Sequence, residues 1–135
     1  MGLMDRVKAM FGEAAEAEDA PVEELPLDVE VRRAQLDELE DAVRSLARAM
    51  AAKTDLMANP GWRGRVEDLR FAANEAAQLS RSGFDRAALH DVAAEVRPLY
   101  GPGEVPAEYA PFRAEHERVL AAVDALRGSL PSESS

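Results

Sequence analysis

The sequence lacks cysteine, and only 5% of its 135 residues are aromatic. Without cysteine the chain has no disulfide, no thiolate metal ligand and no cysteine nucleophile. No apolar run approaches the roughly 18–20 residues that a membrane-spanning helix needs, and no secretory signal is visible. These absences predict a cytoplasmic protein.

Acidic side chains outnumber basic ones by 26 to 16. The formal net charge is -10, and residues 1–41 hold 13 acidic side chains against 4 basic ones. Such a chain repels phosphate, and binding by counterion release needs clustered cations, so we expect no nucleic-acid partner. Arg63, Arg65 and Arg70 form the one basic cluster, with Glu67 and Asp68 between them. This mixture favours a solvated helical turn, with contact to a small anion or a partner as the alternative.

The sequence also has few motifs that indicate a metal site or a catalytic site. Neither His90 nor His116 has the glutamate three residues earlier that di-metal helical bundles use, since Ala87 and Arg113 stand there. We expect His116 to be a hydrogen-bonded histidine in the core or at its boundary, and His90 to face solvent. Nucleophile motifs and phosphate-binding loops are absent. The sequence therefore predicts no enzyme, no catalytic, cofactor-binding or metal-binding residue, and no evident small-molecule substrate.

The strongest pattern is an apolar repeat with alternating spacings of three and four. We call these residues the seam: Leu36, Leu39, Val43, Leu46 and Met50. Such a repeat predicts a long helix, here from Asp28 to Met57, with a coiled-coil-like face. Arg32 and Lys53 occupy two further positions of the same register.

Three more helices are predicted at residues 62–81, 86–97 and 107–128, separated by proline and glycine. Phe71 and Leu79 form a second apolar face on the first of them, which indicates a helix between two neighbours. Asp85 is the expected N-cap of the next. No segment alternates with period two. The fold class is therefore all-α, an antiparallel helical bundle over residues 28–130 with a disordered tail at 131–135.

Residues 1–12 predict a short amphipathic helix. Its apolar arc holds Leu3, Met4, Val7, Met10 and Phe11, and its flanking cations are Arg6 and Lys8. Such a helix suits insertion at a membrane surface, with the cations reaching the head groups. The alternative is that the arc packs on the bundle or on a protein partner. Residues 13–27, acidic and interrupted by proline, predict a flexible linker.

The opening residues Met-Gly-Leu-Met-Asp-Arg-Val-Lys resemble the start of the phage-shock-protein A family, which maintains bacterial and plastid membranes. Ala17-Glu18-Asp19 and the helix that carries the seam extend the likeness to about residues 1–57, although only the first eight residues are specific. The resemblance implies a membrane-contacting first helix followed by a long helical hairpin. The chain departs from it at Asn59-Pro60-Gly61, where the family's hairpin continues.

Two functions are consistent with these patterns. The first is a non-enzymatic helical adaptor, associated with the inner face of the cell membrane through residues 1–12. The second is a soluble interaction module without a membrane role, whose seam pairs with a second copy or with a partner helix. Both predict self-association or a protein partner, and neither uses a cofactor.

Overall fold

The computed structural model describes residues 27–133, and this part of the chain is helical without any strand. Four α-helices follow one another: α1 (Val29–Ala51), α2 (Pro60–Ser82), α3 (Arg86–Glu95) and α4 (Arg113–Arg127). Short 3-10 helices occupy Leu56–Ala58, Ala107–Phe112 and Pro131–Glu133. The predicted all-α class is confirmed for these residues. The predicted helix at residues 1–12 and all but the last residue of the predicted linker lie outside them.

The first helix is shorter than its sequence pattern predicts. Asp28 begins α1 as its N-cap, since its side chain accepts a hydrogen bond from the amide of Val31 at 3.3 Å. The helix ends at Ala51, because the amides of Leu56 and Met57 bond the carbonyl of Lys53 in a separate turn. Met57, the predicted last residue of α1, therefore lies in a 3-10 helix.

Proline decides two other boundaries. Pro60 stands at the first position of α2, where its missing N–H costs nothing, and the Asn59 side chain accepts from the amide of Gly61 at 2.8 Å. The last predicted helix is divided, since Pro111 lies within the 3-10 helix Ala107–Phe112 and α4 begins only at Arg113. Proline has no N–H to donate within a continuous α-helix.

The remaining ends of α2 and α3 have local causes. Gly83 ends α2 with φ of 105°, a backbone conformation that glycine adopts readily. Asp85 caps α3 as predicted, because its side chain accepts from the amide of Ala88 at 2.8 Å. The third helix ends at Glu95, two residues earlier than predicted, before Pro98. In the predicted tail, Pro131–Glu133 forms a 3-10 turn.

The seam forms the centre of the core. All five seam residues have a relative exposure of 0%, and α1 packs against both α2 and α4 within the one chain. The predicted second apolar face of α2 is wrong in part. Leu79 is half-buried against the core, but Phe71 is 56% exposed because no neighbouring helix covers it.

Both ends of α1 are tied to α2 by hydrogen bonds. At the end of α1, the Trp62 indole Nε1 donates to the carbonyl of Met50 at 3.0 Å. At its start, the Ser80 hydroxyl donates to Asp37 at 2.7 Å, and Arg33 Nε donates to the Ser80 carbonyl at 2.8 Å. These bonds fix the register in which the α1 seam meets α2.

A buried arginine joins α1 to the end of α4. The Arg32 side chain is 1% exposed, and its guanidinium donates to the carbonyls of Ala125, Leu126 and Gly128 at 3.1, 3.2 and 2.7 Å. The last carbonyls of a helix lack partners within the helix, and a cation there also interacts favourably with the helix dipole. Arg32 therefore takes a seam-register position without breaking the core.

Replacing Arg32 by methionine tests this role. We expect Arg32→Met to lower the free energy of unfolding by about 2–4 kcal/mol, because three partly buried carbonyls lose their donor. Urea denaturation followed by circular dichroism measures the change. The matched control is Arg127→Met, an exposed arginine in the same last turn, with an expected change below about 0.5 kcal/mol. Equal losses for the two variants would contradict the capping role.

Candidate functional site

An open groove lies between the first half of α2 and the segment in which α3 ends. Its volume is about 750 Å³. Residues lining this α2–α3 groove include Gly64, Arg65, Phe71, Glu95, Val96 and Arg97. A Cβ added to Gly64 would meet nothing within 4 Å. The helix surface is bare at that point, so a bound chain can approach the backbone of α2 closely.

Phe71 is the most exposed large apolar side chain of the groove. Among residues 27–133, the other large apolar side chains with substantial exposure are Val29 and Val31, at the start of α1. A lone exposed apolar residue is ordinary, but an aromatic ring beside a groove is a typical contact residue of protein interfaces. Phe71 is therefore the first candidate contact in this groove.

The charges of the groove are mixed. Neither Arg65 nor Arg97 forms an ion pair with another residue of the described segment, although the Arg65 guanidinium lies 5.9 Å from the centroid of the Tyr109 ring. Burial raises the pKa of the Glu95 carboxyl, and the nearby charges of Glu75 and Asp91 raise it further. Asp68 also lines the groove, so two guanidinium groups stand beside two carboxyl groups, and neither Arg65 nor Arg97 is engaged in an ion pair within residues 27–133.

A second site, a depression more open to solvent than the groove and called the His116 cavity below, lies between α4 and the loop that follows α3. Its volume is about 610 Å³. Residues lining this His116 cavity include Tyr100, Val105, Arg113, His116, Glu117 and Leu120. Apart from the three side chains of α4 that carry polar groups, its walls are apolar or aromatic.

His116 connects α4 to the loop. It is 3% exposed, and its Nε2 accepts a hydrogen bond from the backbone amide of Leu99 at 3.0 Å. Its ring centroid lies 4.3 Å from that of Tyr100. Burial lowers the pKa of the imidazole, and the charge of Glu117 opposes this with a smaller effect. The predicted hydrogen-bonded core histidine is confirmed, and His90 is exposed, as predicted.

The two sites lie on opposite sides of one backbone segment. Val96 has an extended backbone, and alternate residues beyond it line different sites. Arg97 and Leu99 line the groove, whereas Pro98 and Tyr100 line the His116 cavity. The Leu99–His116 hydrogen bond holds this segment against α4.

The described residues that line the α2–α3 groove and the His116 cavity include neither the residues predicted to bind a membrane or partner nor those of the seam. The first set lies outside the described residues: Leu3, Met4, Arg6, Val7, Lys8, Met10 and Phe11. The seam is buried in the core and lines neither the groove nor the cavity. Sequence reasoning identified neither site as such, although it named Arg65, which lines the groove, in a cluster whose alternative role was contact with a small anion or a partner, and His116, which lines the cavity. The glycines at positions 61 and 64, one helical turn apart, are the one signal that could have indicated a bare face on α2.

Within residues 27–133, no group of three or more histidine, aspartate or glutamate side chains is placed to hold a metal ion. In the same segment, no helix is both long enough and apolar enough to cross a bilayer.

Comparisons with known proteins add no assignment. No protein-family model, no curated protein and no solved structure matches this chain. The resemblance of the N-terminal segment to the phage-shock-protein A family stays a prediction.

The buried imidazole makes the stability of the protein dependent on pH. Because the pKa of His116 in the folded chain lies below its ordinary value of 6.5, the unfolded chain binds more protons below that pH. We therefore expect the free energy of unfolding to fall as the pH drops from about 7.5 to about 5.5. Urea denaturation at both pH values measures the loss.

The controls separate this histidine from the other titrating groups. His90→Gln, at an exposed position, should retain the pH-dependent loss of the wild type. His116→Gln should reduce it, since the variant has no imidazole in the core. An undiminished loss in His116→Gln would show that another group is responsible.

Proposed function

We propose that this chain is a non-enzymatic cytoplasmic adaptor. In this proposal the helices form an antiparallel bundle with α1 as its long, coiled-coil-like member. The α2–α3 groove takes a segment of a partner protein. Residues 1–12 contact the inner face of the cell membrane, and residues 13–27 link them to the bundle. The exposed Phe71 beside the groove is the observation that carries the partner-binding half.

The partner that fits the groove is an acidic amphipathic helix. Its apolar residues would cover Phe71 and the bare backbone at Gly64, and its carboxylates would face Arg65 and Arg97. Both guanidinium groups are without an ion pair in the described part of the chain, so a partner need not displace an existing one. Burial of one aromatic side chain in an interface can supply much of its binding free energy.

The membrane half is supported by the arrangement of residues 1–12. Five apolar residues share one arc, and burial contributes about 1.5–3 kcal/mol for each side chain that inserts completely. Ordering the segment costs about 1 kcal/mol or more per residue, so a single copy binds weakly and several copies together bind well. The soluble interaction module remains the alternative, in which this arc packs on protein.

Vesicle binding tests the membrane half. We expect the full chain to sediment with anionic vesicles, less so at high salt, and the double variant Met4→Asp, Phe11→Asp to remain in solution, because carboxylates in the arc oppose insertion. The matched control is Gly2→Asp, Ala9→Asp. At 100° per residue these positions lie behind the arc, so this variant should still sediment. Equal sedimentation of both double variants would favour the alternative.

A designed peptide tests the groove. The probe is a synthetic amphipathic helix with leucines on one face and glutamates at its flanks, and its control carries lysines in place of the glutamates. We expect saturable NMR shifts at the amides of Gly64, Phe71 and Arg97 with the acidic peptide only. Phe71→Ser and Arg97→Glu should each weaken binding severalfold, because one removes the apolar contact and the other reverses the charge.

Arg127→Glu makes the same charge reversal outside the groove and should leave the affinity for the acidic peptide nearly unchanged. Shifts of equal size with both peptides, or shifts confined to residues outside the groove, would contradict the proposed docking surface.

A further inference from the structure

The His116 cavity contains a hydrogen-bond donor that no described protein group uses. Because Nε2 of His116 accepts from the Leu99 amide, the neutral imidazole carries its hydrogen on Nδ1. Among residues 27–133, no atom accepts a hydrogen bond from that Nδ1, and the residue as a whole is only 3% exposed. A buried donor without an acceptor costs free energy, so such a group favours any molecule that brings an acceptor.

The walls of the cavity restrict what that molecule can be. Val105, Leu120 and the ring of Tyr100 present apolar surface. Its volume of about 610 Å³ lies within the range that small-molecule sites typically have. The body of a ligand must therefore be largely apolar.

The charges around the cavity balance. Arg113 Nε and Glu117 Oε2 form a pair at 3.4 Å, with both side chains about two-thirds exposed. The imidazole itself is neutral while it accepts from the Leu99 amide. A carboxylate ligand would lie close to Glu117 as well as to Arg113, so it would gain no net charge attraction, and a hydrocarbon would leave the Nδ1 hydrogen unused. An uncharged molecule with an acceptor satisfies both conditions.

We propose that the His116 cavity binds a small uncharged molecule that has an apolar body and a carbonyl oxygen. The oxygen accepts from Nδ1 of His116, and the body lies against Tyr100, Val105 and Leu120. This site is separate from the α2–α3 groove and from residues 1–12. The inference therefore stands or falls independently of the adaptor function.

Three probes of similar size test the chemistry on the full-length chain. Benzamide has a neutral carbonyl, benzoate has a carboxylate and toluene has no acceptor. We expect benzamide to give saturable NMR shifts at Tyr100, Val105 and Leu120 together with a shift of the His116 Nδ1 nitrogen. A net neutral hydrogen bond corresponds to roughly threefold to tenfold tighter binding, so benzamide should exceed toluene by that factor. Benzoate should bind more weakly than benzamide.

Two variants locate the binding. Leu120→Phe narrows the cavity while retaining His116 and should weaken benzamide binding at least threefold. Val31→Phe adds the same ring to an exposed position on α1 and should leave benzamide binding unchanged. Circular dichroism and the thermal transition establish that each variant is folded. His116→Phe is less suitable, because it also removes the acceptor of the Leu99 amide.

The proposal is overturned if none of the probes gives saturable shifts at the cavity residues. It is also overturned if toluene or benzoate binds as tightly as benzamide, since the His116 donor would then contribute no selectivity. Unchanged benzamide affinity in a folded Leu120→Phe variant would place the binding outside the cavity.

Discussion

Burial of the seam on two sides of α1 is the constraint on which the rest of the structure depends. A helix with a continuous apolar face must cover it, and here α2 and α4 do so within one chain. This seam is therefore already covered before any partner or second copy arrives. An interaction with another molecule has to use other surfaces, which directs attention to the ends of the bundle and to the segment around α3.

The polar contacts then fix how the covered helices meet. Arg32 takes a position at the start of the α1 register and binds the final carbonyls of α4, so the two helices are joined where the apolar stripe ends. Further along, Arg118 of α4 contacts Glu38 and Asp41 of α1 at 2.8 and 2.7 Å and holds the pKa of both carboxyls below their usual values. Exposed ion pairs of this kind add little stability. Their contribution lies in alignment, whereas Arg32 is part of the core.

Much of the fold can be predicted from local patterns in the sequence. The spacing from Leu36 to Met50 predicts the buried face of α1, and Asp85 predicts the start of α3, because periodicity and capping act over a few residues. Pro111 marks the point where the last predicted helix is divided, but the apolar repeat continues on both sides of it and so predicts one continuous helix. A 3-10 helix keeps similar side-chain spacing, so periodicity alone does not distinguish it from an α-helix.

Both candidate sites were beyond such reasoning, since they arise where helices of unequal length meet. The third helix has 10 residues and α2 has 23, so α3 covers only part of α2 and leaves Phe71 exposed. In the sequence Phe71 belongs to an apolar face. No nearby residue indicates that α3 ends before it can cover that face. Likewise, the spacing around His116 predicts a buried histidine, but the loop that supplies the Leu99 amide is distant in sequence.

The segment from Val96 to Tyr100 contributes residues to both candidate sites. Val96, Arg97 and Leu99 line the groove, whereas Pro98 and Tyr100 line the cavity. One hydrogen bond from the Leu99 amide to His116 holds the segment against α4. Protonation of Nε2 would remove the acceptor of that bond. Coupling between two sites requires an element that both of them bias, and this segment contributes residues to each.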